Sequence, residues 1–369
     1  MKKNIFLIIL FLSVTTACFA QKFAINATIT GFKDQTKFIL KDITNDVIID
    51  SAIIINNKFG MRGQVAAEPH SYWLSATYNG KFYYVVLFIS NDKIKITGDI
   101  SDFPFDLHIT GSPSQDKSTS LNNQTKALYK QRNTLVAEYV ALKGDSATVA
   151  AKSKQIWHTI GKLDSIDDII RKRFIKENLN SYTAVSELTY LKSRYSKDTL
   201  QKMYDELIPK YKQSEYGKII AIYLKVGNPV KTGDAYVDFE AWDKEGLAHK
   251  LSDIKGKYIL LDFSATNCGP CVESVKDMKL LTKQYPGKLA IVTFSEDAAK
   301  KTWLESIHRD SPDWLSVWDG KGDNSETSLK YGVTGYPTFF LINPEGKIVT
   351  SIIGYGDGSL AKTIKGIIK

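Results

Sequence analysis

The chain reads as a multidomain protein, with an N-terminal all-β sandwich, a central α-helical segment and a C-terminal α/β domain in series. Three changes of texture predict this. Residues 21–112 repeat apolar side chains with period two, and residues 113–226 repeat them at steps of three, four and seven. Residues 227–369 alternate short apolar runs with helical patterns. A length of 369 residues also exceeds one usual hydrophobic core. With 43% hydrophobic and 24% charged residues, the composition excludes wholesale disorder, a collagen repeat and a multi-span membrane protein. Three cysteines are too few for a disulfide scaffold or a four-cysteine zinc ribbon.

Residues 1–20 read as an export signal. Lys2 and Lys3 form its basic start, residues 5–14 are an almost unbroken apolar run, and small residues follow. Cleavage after Ala20 fits the small-x-small site Cys18-Phe19-Ala20 and leaves Gln21 first. The alternative is that Thr15-Thr16-Ala17-Cys18 acts as a lipoprotein box and Cys18 becomes a lipid anchor. With cleavage after Ala20 the mature chain keeps Cys268 and Cys271 alone.

The β domain starts with Phe23, Ala24, Ile25, Ala27 and Ile29 and continues through Phe38 and Leu40. Residues 50–55 lead to a turn at Asn56-Asn57 and a strand over 58–63. Residues 72–77, 82–89 and 93–97 are aromatic or β-branched runs bounded by Gly, Asn and Asp, for about seven or eight strands in all. In the middle segment Ile156, Ile160, Leu163, Ile170 and Phe174 mark a helix face packed on its neighbours. Ser181 caps a helix over 182–191, and Asp198 caps one over 199–211. The last segment predicts strands at 258–263, 289–295 and 338–342 and helices at 271–285, 298–307 and 359–368. The turn Asn343-Pro344-Glu345-Gly346 leads into a strand over 347–353.

Chemistry concentrates where the strand Leu260-Leu261-Asp262-Phe263 runs into Cys268-Gly269-Pro270-Cys271. Cysteines three apart at a helix start face each other closely enough to form a disulfide. The first sits where unpaired backbone N–H groups and the helix dipole favour negative charge. Thiols so placed have pKa values of about 3.5–7.5, against about 8.5 when free. Cys268 is therefore the candidate nucleophile and Cys271 the more buried resolving thiol. Half a zinc site would look the same, but zinc needs four ligands and neither His249 nor His308 shows paired spacing. A static structural disulfide is the other alternative. No metal and no cofactor are called for.

Phe263-x-Ala265-x-x-Cys268-Gly269-Pro270-Cys271, followed by Gly335-Tyr336-Pro337-Thr338-Phe339, resembles the thioredoxin fold in its TlpA/ResA-like envelope branch. The likeness spans about residues 226–369, and the two preceding domains resemble a β domain of unknown function, with a helical linker, that often precedes such modules. The resemblance implies a C-terminal α/β thioredoxin fold and a thiol-disulfide oxidoreductase. It implies that Pro337 is a cis-proline facing the cysteine pair and that the Tyr336 backbone binds the incoming chain. Asn267, Gly269 and Pro270 would complete the partner-binding rim. Asp262, six residues before Cys268, matches the buried acid that moves a proton for the resolving thiol; burial should raise its pKa. Gly269 and Pro270 are the pair found in mostly reducing thioredoxins.

The sequence also departs from the family. Asn267 and Ser264 stand where aromatic residues are usual, which polarises the site. Ser274 takes the place of the branch's buried glutamate, and Glu273 reads as a solvated acid of the first helical turn. The partners implied are disulfide-bearing envelope proteins, apocytochromes among them, and an upstream membrane electron donor, with the periplasm as location. The rival reading is a non-catalytic envelope binding protein whose β domain does the work. A peroxide-reducing enzyme fits less well, because no Pro-x-x-x-(Thr/Ser)-x-x-Cys arrangement surrounds Cys268.

The formal net charge is +9, and residues 122–226 carry the excess, with nineteen basic against eleven acidic side chains. The redox segment is close to neutral. With no groove-binding motif, nucleic acid is excluded as the partner, and a solvated helix face or contact with an anionic membrane surface accounts for the charge.

Overall fold

The computed structural model describes residues 22–368 apart from 43 and 144. The export signal, with Cys18 and Gln21, lies outside the described residues.

Eight strands form the first domain: β1 Phe23–Thr30, β2 Lys37–Asp42, β3 Val47–Ile53, β4 Lys58–Gly63, β5 His70–Tyr78, β6 Lys81–Ile89, β7 Lys93–Asp99 and β8 His108–Thr110. They make two four-stranded sheets ordered β4-β1-β7-β8 and β3-β2-β5-β6. Alternation sets the sandwich: along β1, Phe23, Ile25, Ala27 and Ile29 point inward while the residues between them face out. Ile94, Ile96 and Met61 from the same sheet meet Phe38, Leu40, Leu74 and Leu87 from the other. Asn56 and Asn57 both take positive φ in the β3–β4 turn, a conformation asparagine tolerates.

Helices follow: α1 Pro113–Val140, α2 Ser146–Glu177, α3 Tyr182–Leu191, α4 Lys197–Asp205, α5 Pro209–Lys212 and α6 Glu215–Lys225. Ser112 caps α1 and Ser181 caps α3. Half-buried Arg171 ties three helices together. It bonds Asp167 of its own helix at 2.7 Å, Glu187 of α3, and the Tyr129 hydroxyl of α1 at 2.6 Å. The single helix expected over 199–211 is instead two. Ser196, not Asp198, caps α4, which ends at Asp205. Pro209 then holds Ile208 extended, at ψ 156°, and starts α5.

The last domain holds β9 Glu240–Trp242, β10 Ala248–Lys250, β11 Tyr258–Ser264, α7 Gly269–Gln284, β12 Leu289–Ser295, α8 Lys300–Asp310, β13 Leu315–Trp318, α9 Glu326–Tyr331, β14 Thr338–Ile342, β15 Ile348–Ile353 and α10 Ser359–Lys365. Its seven strands run β10-β9-β13-β12-β11-β14-β15. β11 is parallel to β12 and antiparallel to β14. One face packs Leu261, Phe263, Phe294 and Phe340; the other packs Leu260, Phe339 and Leu341 against Met278 and Leu281 of α7 and Ile364 of α10. The chain entering this domain lies along β15: Gly233 N donates to Ile348 O at 2.8 Å and Ile348 N to Asp234 O at 2.9 Å. Between the first domain and the last, Lys301 reaches Asp46 at 3.6 Å.

Candidate active site

β11 is apolar until Asp262 and ends in a turn that delivers Cys268 to the start of α7. Cys268 is the N-cap residue: its Sγ accepts from Cys271 N at 3.2 Å. Pro270 occupies the first turn, where its missing N–H costs nothing. The two cysteines are joined as a disulfide with their Cα atoms 5.2 Å apart. Cys268 is half-buried and Cys271 only 3% exposed, so an incoming chain reaches Cys268 first. Asn267, Gly269 and Pro270 form an exposed rim around it. On reduction, the N-terminus of α7 favours a thiolate at Cys268.

The Tyr336–Pro337 bond is cis. Thr338 pairs with Phe263, which sets Pro337 beside the end of β11 from which the cysteine loop departs. Tyr336 also reaches inward, its hydroxyl donating to Glu296 Oε2 at 3.3 Å. Glu296 is 5% exposed and accepts a second hydrogen bond from the Ser328 hydroxyl.

Asp262 lies beneath the site, 1% exposed, on the face of β11 that meets α7. Burial pushes its carboxyl up to about 7, with a further push from the charge of Asp310. The Thr293 hydroxyl opposes this by donating to Oδ2 at 2.9 Å, held in turn by Trp314 Nε1 at 3.0 Å. Such a carboxyl exchanges its proton near neutral pH.

Several residues that sequence reasoning passed over shape the loop before Cys268. Thr266 donates its hydroxyl to Asp297 at 2.7 Å, and Ser295 donates to the same carboxylate at 2.9 Å. Arg309 donates to Thr266 O at 2.7 Å, and Trp318 Nε1 to Asp297 O at 2.5 Å. Trp318 stacks on fully buried Trp303, centroids 5.5 Å apart. The loop is thus held by polar bonds to β12, α8 and the end of β13. The one available signal was the run Ser295-Glu296-Asp297 closing a parallel strand, the end of such sheets where sites form. Glu273 is exposed, and buried Ser274 spends its hydroxyl on Cys271 O at 2.7 Å.

Residues 256–348 match a family described as thioredoxin-like, and residues 23–118 match a domain of unknown function, DUF4369. Among curated proteins, the thioredoxin-like protein YneN of Bacillus subtilis is 32% identical over 135 residues, covering 36% of this chain and 77% of that one. The thiol-disulfide oxidoreductase ResA of Bacillus cereus is 31% identical over 136 residues, covering 36% and 75%. Among solved structures, the thioredoxin domain of a thiol-disulfide oxidoreductase from Bacteroides vulgatus is 26% identical with a TM-score of 0.36, covering 38% of this chain and 99% of that one.

Proposed function

The chain belongs to the thioredoxin-like thiol-disulfide oxidoreductases, and on that premise we propose that it is an exported reductant of disulfides in envelope proteins. The observation that carries this is the Cys268–Cys271 pair at the start of α7, with Cys268 the more accessible, cis-Pro337 on the neighbouring strand end and Asp262 buried beneath. In the dithiol form, Cys268 thiolate attacks a partner disulfide, forming a mixed disulfide and releasing one partner sulfur. Cys271 then gives its proton to Asp262 and attacks Cys268, so the second partner sulfur leaves and the Cys268–Cys271 bond re-forms. The backbone of Tyr336 and the rim of Asn267, Gly269 and Pro270 hold the partner chain. A membrane-bound dithiol upstream restores the reduced pair.

Export rests on the leader in residues 1–20, which leads to the periplasm or, through Cys18, to a lipid anchor. The end of the α1–α2 hairpin supports contact with an anionic membrane surface. Val140 is 77% exposed there, its chain neighbour Tyr139 meets Trp157 edge-on at 5.4 Å, and Lys143, Lys152 and Lys154 are exposed in the adjoining chain. Co-sedimentation with phosphatidylglycerol vesicles, but not with phosphatidylcholine vesicles, is expected. Binding unchanged by high salt would refute the electrostatic part.

Insulin-disulfide reduction tests the activity itself. The wild type should reduce insulin with a supplied dithiol, and Cys268→Ser should lose at least about 10³-fold, as removal of the attacking thiolate requires. Equal low rates in both would instead favour a binding protein with an inert disulfide.

A further inference from the structure

Asp262 has a feature that thiol exchange alone leaves unused. Its Oδ1 finds no hydrogen-bond partner, although the residue is 1% exposed. Asp262 borders a cavity of about 30 Å³ between α7, α8 and the sheet. That space suffices for about two water molecules, and Thr293, Ser295, Ser306 and Ser316 are among the residues that line it. The cavity wall also includes Asp310, the last residue of α8, with its side chain 18% exposed. Arg309 holds both of its oxygens at 2.7 Å and fixes the pair to Thr266 O.

Accepting Asp262 as the group that takes the Cys271 proton, we infer that this cavity is a water-filled proton path from Asp262 to solvent, with Asp310 as the positioning residue at its outer end. The order of events creates the need. In the mixed disulfide a partner covers the Cys268 edge, where the proton would otherwise leave. The Cys271 S–H bond breaks and Asp262 gains the proton. The new S–S bond to Cys268 then forms as the bond to the partner sulfur breaks, and that sulfur departs as a thiolate. Asp262 is left protonated and must discharge before the next cycle. Water beside Oδ1 accepts that proton and passes it toward the negative charge of Asp310, where Pro312 and Trp314 form a partly exposed rim.

Few groups compete for this role. α7 contributes Val275 and Met278 to the cavity, α8 contributes Ser306, Ile307 and Asp310, and the sheet contributes Thr293, Ser295 and Ser316. On the neighbouring strand β14, Phe339 pairs with Asp262. Asp277 of α7 is engaged elsewhere, accepting from Ala361 N at 2.9 Å. Among the described residues, Asp310 is therefore the one other ionisable side chain on the cavity wall, and its charge favours the protonated form of Asp262.

Two readouts on the full chain test this. The first is the titration of Asp262, followed by its carboxylic C=O infrared band in the oxidised protein, which needs neither partner nor turnover. The second is the pH profile of mixed-disulfide resolution. Asp310→Asn should move the infrared midpoint down by about one unit and slow resolution about threefold to tenfold. Asp310→Glu should restore both, and Asp313→Asn, a nearby exposed acid outside the cavity, should change neither. Ser306→Val, which intrudes on the cavity without altering charge, should slow resolution and carries the test if Asp310→Asn does not fold. An unmoved midpoint or an unmoved profile in Asp310→Asn, or unchanged resolution in Ser306→Val, overturns the inference. A wild type that fails to reduce insulin, together with a midpoint shifted in Asp310→Asn, would instead count against the proposed function alone.

Discussion

Phe38 and Asp262 sit at matching depths, each on an inner strand of its sheet and each almost fully buried. Around Phe38 the sandwich buries hydrocarbon almost exclusively, and Ser75 is the one buried polar side chain on its strands among the described residues. The redox domain buries Asp262, Asp277 and Glu296 as well as several hydroxyls. Burial stabilises the first region without qualification. In the second it is opposed by the cost of keeping carboxyl groups out of water. The difference shows where the fold gives up stability for chemistry. In the redox domain the carboxyl of Asp262, raised to about 7, is ready to trade its proton near neutral pH.

The comparison can be broken at its apolar end first. Phe38 stacks on Phe59 with centroids 4.4 Å apart and meets Phe32 edge-on at 5.0 Å. Phe38→Ala should destabilise the sandwich by about 3–5 kcal/mol. Calorimetry should show its transition falling while the Cys268–Cys271 reduction potential stays where it was. A changed potential would mean that the two domains are energetically coupled.

At the polar end the sign reverses. With its carboxyl raised from 3.8 to about 7, Asp262 binds its proton more tightly folded than unfolded. Stability is therefore full below about pH 4 and declines as pH rises toward 7. Asp262→Asn should match the wild type near pH 4 and exceed it at pH 8 by up to about 4 kcal/mol, the equivalent of roughly three pKa units. Parallel urea melts at the two pH values check this, and equal curves at pH 8 would contradict it.

The smallest effect belongs to the polar staple. Thr266→Val removes the hydroxyl bonded to Asp297 and should cost about 1–2 kcal/mol. Hydrogen exchange should locate that loss in the redox domain and leave the sandwich amides protected as before.

Much of this architecture was legible because it is written locally. Period two over β1, the three-and-four steps of α2 and the alternation after residue 227 separate the three textures without tertiary information. The cysteine pair, Asp262 and the Gly335-Tyr336-Pro337 run are contiguous patterns, so they too could be read. Thr266, Asp297 and Arg309 could not, because they meet only when β11 and β12 pair and α8 folds back over them. Asp310 is hidden in the same way, since nothing near it in the chain mentions Asp262. The strands β9, β10 and β13 are three or four residues long and too short for a period to show. The break at Pro209 was within reach of local rules, and the apolar spacing across it concealed it.

The segment lying along β15 carries a practical consequence for anyone who divides the molecule. β15 ends the sheet, and Gly233 and Asp234 satisfy the backbone of Ile348 on its outer side. The thioredoxin-like match begins at residue 256, well downstream of that cover. A fragment started there would bare a hydrogen-bonding edge that invites self-pairing. One started before Val230, whose N–H also bonds Lys330 O at 3.0 Å, keeps the edge closed. The frontier of the redox unit is set by a strip of irregular chain, about twenty-five residues upstream of where the thioredoxin-like family match begins.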